Sequence, residues 1–344
     1  MKKLFFIAFI MFISVVLVAC GEGNTESDQD DQQGQEENQE QEQANESETS
    51  EETSITVTDV YGEQTFDEVP ERIVVLEWVY AENLLALDIQ PVGMADIEGY
   101  HDWVNIEPEI GDDVEDVGTR QEPNLEAIQA LEPDVIITAN SRHEAIMDSL
   151  KEIAPTLAYN SYPEEGEGTQ YEEMESTFKE MAKLVQKEEQ ANQLLADLDQ
   201  TYSDIETEIS EAGVDNTDFV LAQAFSSDNS PVIRLFKDNA MATEIMTKIG
   251  LENAYQSDGF QLYGFDETSV ESLQTAQDAH FFYIVQEDDN IFTNQLAGNP
   301  AWEELAFVKE ERTHQLPGDT WTFGGPLSAE VFANQIKEAL TQEK

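Results

Sequence analysis

Two patterns of apolar residues divide this chain, and the boundary between them constrains its fold more than any other feature. Up to Tyr159, short continuous apolar runs alternate with amphipathic stretches. From Tyr171 to Ile209 no strand pattern occurs. Met174, Phe178, Met181, Ala182 and Val185 form one helical stripe there, and Leu194, Leu195, Leu198, Tyr202, Ile205 and Ile209 a second. Apolar residues three and four apart mark a helix face, whereas short unbroken runs mark strands buried on both sides. After Ile209 the alternation resumes. The spacing therefore predicts two α/β halves joined by helix. A coiled-coil partner helix is the alternative, but neither stripe is a sustained heptad.

Within the first half, residues 55–58 alternate and Tyr61-Gly62-Glu63-Gln64 supplies a turn, which predicts an opening hairpin. Runs at 73–76, 91–95, 134–138 and 156–159 read as strands. Segments 83–87, 125–131 behind an Asn124 cap, and 143–153 read as helices. In the second half, 218–223 and 280–285 read as strands. Segments 240–249, 268–276 and 328–340 read as helices, the first ending at Gly250. Strands and helices in alternation, with short connections, imply mostly parallel sheets.

The chain before this body has a different character. Lys2 and Lys3 precede an apolar run broken only by Ser14, so residues 1–19 read as an export signal. Leu17-Val18-Ala19-Cys20 resembles the bacterial lipobox, and Cys20 is the single cysteine of the chain. Lipidation at Cys20 is expected; a plain cleaved signal or an anchor helix is the alternative. Residues 20–53 carry 13 acids and no Lys or Arg. Such a segment cannot bury enough apolar surface to offset chain entropy, and it is expected to be a disordered, self-repelling tether. The expected divisions are 1–19 signal, 20–53 tether, 54–165 N-terminal lobe, 166–187 inter-lobe helix and 188–344 C-terminal lobe.

The body is itself strongly acidic, with 61 acids against 14 basic residues and a charge of −47. That balance excludes nucleic acid as a natural partner, because a phosphate backbone is held by clustered Lys and Arg. One cysteine excludes a disulfide framework and a Cys-based metal cluster within the chain. Enzyme motifs are missing too. There is no Gly-x-x-x-x-Gly-Lys, Gly-x-Gly-x-x-Gly, Gly-x-Ser-x-Gly or His-Glu-x-x-His. His101, His143, His280 and His314 are the only histidines, and none pair at helical ligand spacing. His280, in an apolar run, reads as a core side chain.

The five arginines carry the most information, because cations are rare here: Arg72, Arg120, Arg142, Arg234 and Arg312. Arg72 and Arg312 are expected in structural salt bridges. Arg120 lies in the polar loop Gly118-Thr119-Arg120-Gln121-Glu122-Pro123, and Arg142 directly follows an expected strand. Ligands of open α/β sheets bind beyond the carboxyl ends of the strands. A guanidinium offers donors that match both oxygens of a carboxylate at once. Arg120 and Arg142 are thus expected to grip an anionic ligand, with Arg234 contributing from the second half.

The ordered set of motifs resembles one family, the substrate-binding proteins of ABC importers for ferric siderophores. In the first half it comprises Arg72 to Glu77, Glu82-Asn83-Leu84-Leu85-Ala86-Leu87 and Pro91-Val92-Gly93-Met94-Ala95-Asp96. Val117-Gly118-Thr119-Arg120 with Gln121 to Glu126, Leu131-Glu132-Pro133-Asp134 with Val135 to Ile137, Arg142-His143 and Ile153-Ala154-Pro155-Thr156 continue it. In the second half it comprises Arg234-Leu235-Phe236, Asn299-Pro300-Ala301-Trp302 and Trp321-Thr322-Phe323-Gly324-Gly325-Pro326-Leu327-Ser328-Ala329. The resemblance is to the ferric-citrate and carboxylate-siderophore binders and spans residues 55–340.

It implies two α/β lobes bridged by one long helix, with limited closure on ligand. It implies binding and delivery rather than catalysis, with iron arriving inside its chelate, so that no protein metal ligand or resident cofactor is needed. The implied partners are a ferric siderophore, an ABC permease with its ATPase, and the membrane through the lipid anchor. The implied state is a monomer on the outer side of the cell membrane. Arg120, Arg142 and Arg234 would contact ligand. Trp78, Tyr80, Tyr100, Trp103 and Trp321 would be cleft aromatics, with core packing the alternative. Glu126 and Glu271 would dock on permease arginines, with ordinary surface acids the alternative. Related carboxylate binders carry a further arginine near 321–325. Phe323-Gly324-Gly325 stands there in this chain, which argues against a large polycarboxylate. The remaining readings are a hydroxamate siderophore, cobalamin, heme held by His143 or Tyr100, or an exported enzyme acting on a carboxylate.

Overall fold

The computed structural model describes residues 54–228 and 230–341. The expected signal, Cys20 and the tether lie outside the described residues. The hairpin comes first, β1 (Ile55–Asp59) against β2 (Gly62–Phe66), antiparallel. Its tight reversal depends on Gly62, whose φ of 115° few side chains tolerate.

The N-terminal lobe is a five-stranded parallel sheet. Its strands are β3 (Ile73–Val75), β4 (Gly93–Met94), β5 (Glu115–Asp116), β6 (Val135–Ala139) and β7 (Thr156–Tyr159). They stand in the order β5-β4-β3-β6-β7. Every residue of β3, β6 and β7 is buried, which is why these strands appear in sequence as unbroken apolar runs. The chain winds outward from β3 through β4 to β5, then returns to add β6 on the other side. Strand order thus reverses between β3 and β6. The helices of this lobe are α1 (Trp78–Leu85), α2 (Ile97–Trp103), α3 (Leu125–Ala130), α4 (Asn140–His143) and α5 (Met147–Ile153). The expected helix at 143–153 is interrupted by a 3₁₀ turn at Glu144–Ile146. Asn124 caps α3 as expected, its side chain accepting from the N–H groups of Glu126 and Ala127, both at 3.1 Å.

The strandless stretch folds into two helices, α6 (Gln170–Leu184) and α7 (Glu188–Glu211). A reciprocal Thr169–Glu172 capping box starts α6. The 24 residues of α7 extend roughly 36 Å. Ala191 and Leu195, near its start, pack into the N-terminal core with Phe178 and Met181 of α6. Leu198, Tyr202, Ile205 and Ile209 pack into the second core with Tyr171 and Met174. Each helix therefore contributes to both hydrophobic cores.

The C-terminal lobe has a mixed sheet of β8 (Asp218–Ser227), β9 (Ser230–Phe236), β10 (Glu252–Asn253), β11 (Phe265–Thr268), β12 (His280–Ile284) and β13 (Thr313–Leu316). The order is β11-β9-β8-β12-β13, with β10 beside β8. β12 runs parallel to β8 and β13, whereas β9 is antiparallel to β8 and β11. Around it lie α8 (Met241–Lys248), α9 (Ile291–Asn294), α10 (Pro300–Glu303), α11 (Ala306–Lys309) and α12 (Pro326–Thr341). The helix expected at 268–276 is a 3₁₀ helix, Val270–Ala276, entered directly from β11. His280 is half-buried, and its Nδ1 lies 2.9 Å from Nε2 of His314 on the neighbouring strand.

Candidate functional site

The strand-order reversal places a crevice beyond the carboxyl ends of β3 and β6, where the loops that follow diverge. Glu77 follows β3, and α4 with Arg142 follows β6. The loop after β5 supplies Arg120. That loop is pinched by a bridge between Gly118 and Pro123, and the Gly118 N–H donates to Asp116 Oδ1 at 2.8 Å. Gly118 has φ 95°, and a Cβ there would meet the Asn124 nitrogen at 2.9 Å, so the loop needs glycine.

Arg120 and Arg142 converge on one carboxylate. Arg120 Nη1 lies 3.5 Å from Glu77 Oε2, and Arg142 Nε donates to Glu77 Oε1. Arg120 Nε also meets Asp96 Oδ2 at 3.3 Å. Side-chain exposures are 16% for Arg120, 32% for Arg142 and 10% for Glu77, so the cluster is shielded at its carboxylate and open at its guanidiniums. Burial pushes the Glu77 carboxyl above its usual range, opposed by the neighbouring charges of Arg142 and Arg120. The Arg120 guanidinium stacks 3.4 Å above the Trp78 ring and lies 5.9 Å from that of Trp321.

His143 holds this arrangement from behind. Its Nε2 lies 2.7 Å from the Arg120 carbonyl oxygen, which can only accept, so Nε2 carries the proton. Nδ1 then accepts from the Thr138 hydroxyl at 2.6 Å. Burial lowers the His143 pKa, and the Arg142 charge lowers it further. Both ring nitrogens are engaged and the residue is 1% exposed, so His143 presents no axial position to a heme. Tyr100 is also buried and does not line the crevice, which removes the other candidate.

The second lobe faces these groups with Arg234 on β9. Its Nη2 pairs with Glu267 Oε1 at 2.9 Å, and its Cζ lies between the rings of Phe225 and Phe265, at 4.8 and 4.7 Å. A cavity of about 630 Å³ is bounded by Arg120, Arg142 and Arg234 together with Trp78, Tyr263 and Phe323. An adjoining cavity of about 500 Å³ reaches Trp103 and shares Arg120, Arg234 and Trp321.

The structure thus brings together Arg120, Arg142, Arg234, Trp78, Trp103 and Trp321. Tyr80 is fully buried beneath the crevice, its hydroxyl 3.4 Å from Ser161 Oγ, and Tyr100 stands edge-on to Trp78 in the core. Glu126 and Glu271 are exposed on separate lobes, away from the lining. Glu271 accepts from the Ser269 hydroxyl at 2.5 Å, and this bond holds its carboxyl below the usual range. Arg72 donates to the carbonyls of Leu131 and Glu132 and so caps α3, in place of the expected salt bridge. Arg312 pairs with Glu310 and donates to the carbonyls of Gln277 and Asp278.

Sequence reasoning missed Glu77, Phe265 and Phe323 as site residues. An acid directly after a buried strand was the available signal for Glu77. For Phe323 the signal was its place in the motif at 321–325, where related binders carry an arginine, whereas Phe265 carries none, since its apolar neighbours are supplied by distant segments.

Comparison with known proteins agrees with this architecture. A family model described as periplasmic binding protein matches residues 73–320. The chain is 31% identical over 284 residues to the Fe(3+)-citrate-binding protein YfmC of Bacillus subtilis, covering 82% of this chain and 85% of that one. It is 29% identical over 272 residues to the iron(3+)-hydroxamate-binding protein FhuD of Escherichia coli, covering 79% and 87%. The crystal structure of the siderophore-binding protein FhuD from Vibrio cholerae, bound to Fe3+-Desferal, superimposes with a TM-score of 0.71 at 28% identity. That match covers 79% of this chain and 98% of the other. With the family model spanning both lobes and the crevice between them, the chain belongs to the periplasmic binding protein family, whose members bind substrates rather than transform them.

Proposed function

We propose that this protein captures a ferric siderophore outside the cell membrane and delivers it to an ABC importer, the ligand being a carboxylate chelate of the ferric-citrate type. The observation that carries this reading is the convergence of Arg120 and Arg142 on a single carboxylate oxygen pair, that of Glu77. A geometry in which two guanidiniums satisfy one carboxylate also suits the peripheral carboxylates of a chelate. Relatives named for ferric citrate and ferric hydroxamate support the ligand class.

In this reading iron is cargo, its coordination filled by the chelator. The protein's groups work on the periphery. Arg120 and Arg142 hold anionic oxygens from the first lobe and Arg234 from the second. Trp78, Trp103, Trp321 and Phe323 exclude water from the chelate's faces. No resident cofactor takes part. Glu126 and Glu271 meet the permease, one from each lobe, and its ATPase drives release. A lipid on Cys20 holds a monomeric protein at the outer membrane face.

Trp78 and Trp321 flank Arg120, so ligand binding should alter tryptophan fluorescence. Titration with ferric citrate, iron-free citrate and ferric hydroxamates tests the assignment. Saturable quenching by a ferric chelate, with none by an unrelated sugar or amino acid, is expected. Failure of every ferric chelate to bind would overturn it.

A further inference from the structure

The three cleft arginines enter the site already paired. Arg120 and Arg142 are held by Glu77, Arg120 also by Asp96, and Arg234 by Glu267. Three guanidinium charges are therefore matched by three carboxylates before any ligand arrives. The carboxylates differ in how strongly they act. The Glu267 side chain is 55% exposed and Asp96 27%, so solvent screens them. Glu77 is enclosed, where a unit charge is felt far more strongly.

Glu77 also has no competing structural task at its own helix. It occupies the N-cap position of α1, but its side chain makes no capping hydrogen bond to that helix. Ser, Thr, Asp or Asn would serve α1 better. The Glu77 side chain turns instead to the guanidiniums, taking Nε of Arg142 and Nη1 of Arg120; with Arg120 Nε held by Asp96, this leaves Nη2 of Arg120 and both Nη groups of Arg142 for ligand.

We propose that Glu77 determines specificity by charge: it positions Arg120 and Arg142 for the chelate and reduces their joint charge from two to one, so that the cleft limits how anionic a chelate it accepts. This rests on the function proposed above and deepens it. A chelate presenting one or two peripheral carboxylates finds the free guanidinium donors, whereas further anionic groups meet Glu77 itself.

The test is Glu77→Gln, which keeps the shape and removes the charge. Affinities for anionic ferric citrate and for the cationic iron complex of desferrioxamine are measured by tryptophan fluorescence on wild type and variant. The ratio of the two affinities should move toward ferric citrate by about tenfold or more. Glu77→Asp, which restores the charge, should return the ratio toward the wild-type value. A merely structural role would weaken both ligands alike, and a ratio within twofold of wild type overturns the proposal. If the Gln variant does not fold, Glu77→Ser, which supplies α1 with a preferred cap, carries the same comparison. If wild type binds neither chelate, the ligand assignment fails separately, and the role of Glu77 is judged on free citrate and sulfate. Their fluorescence response should then appear at about tenfold lower concentration without the Glu77 charge, and an unchanged concentration overturns the proposal.

Discussion

Glu82, on the first helix of the N-terminal lobe, caps the last helix of the C-terminal lobe at Ser328. Its Oε1 accepts from the Ser328 N–H at 2.7 Å and its Oε2 from the Ser328 hydroxyl at 2.8 Å, across 246 residues of sequence. Glu82 is wholly buried. A carboxylate against a helix N-terminus meets both unpaired N–H groups and the positive end of the helix dipole. The contact ties α12 to the opposite lobe. Gly324 and Gly325 let the two approach, since a Cβ on Gly324 would collide with Ser328 Oγ and with the Glu82 carboxylate.

Glu82→Ala should therefore lower stability by about 1.5–3 kcal/mol or more, the scale of a charged hydrogen bond lost in the interior. Gly324→Ala should act in the same direction by pushing the partners apart. Urea denaturation reads both. A change below about 0.5 kcal/mol, the level of an ordinary surface substitution, would mean that the cap contributes nothing.

Arg120→Ala and Arg142→Ala should each weaken an anionic ferric chelate by about tenfold to a hundredfold. The double variant should lose less than the product of the two. Removing either arginine leaves Glu77 to neutralise the other, so each single change already disables the pair. Lysine at either position should recover only part of the affinity, because it lacks the two-donor fork. Single variants within twofold of wild type would make these arginines structural.

His143 predicts a pH dependence. Its folded pKa is lowered by burial, so between the unfolded value of about 6.5 and the folded value the unfolded chain binds more protons. The stability it contributes is present above about pH 6.5 and is lost as pH falls below that. His143→Gln keeps a donor for the Arg120 carbonyl and cannot titrate. The wild type should lose stability relative to this variant between pH 7 and pH 5.5. Parallel pH profiles for the two proteins would contradict the assignment.

Glu126→Ala combined with Glu271→Ala should abolish iron uptake by cells while leaving chelate affinity of the purified protein unchanged, since neither residue lines the cleft. Normal uptake by the double variant would return both to ordinary surface acids.

Cys20→Ala should abolish incorporation of a fatty-acid analogue and release the protein from the membrane fraction, because no other thiol exists in the chain. Continued labelling of the variant would refute lipidation at this residue.

Much of the fold was legible because its determinants are local. Strands β3, β6 and β7 are buried on both faces and so appear as unbroken apolar runs. The stripes of α6 and α7 are spaced by the helix repeat itself, and Asn124 and Gly250 mark helix ends by their own chemistry. Scarcity of cations singled out Arg120 and Arg142. The β8–β9 hairpin was not foreseen, because Ser230 and Pro231 give β9 a polar start and its register comes from pairing with β8.

The site needed the tertiary structure. Trp78 and Tyr80 look equivalent in sequence and both are buried, yet on α1 they lie about 200° apart around the axis, so Trp78 forms part of the crevice wall under Arg120 and Tyr80 does not. Sequence alone determined the strands buried on both faces, the two long helices and which cations were scarce enough to matter, since those follow from backbone geometry and composition over a few turns. The meeting of Glu77 with Arg120 and Arg142, and of Glu82 with Ser328, was decided only by the tertiary structure. A charge finds its partner by proximity in space, and proximity across 43, 65 or 246 residues is set by how sheets and helices pack, which no local pattern encodes.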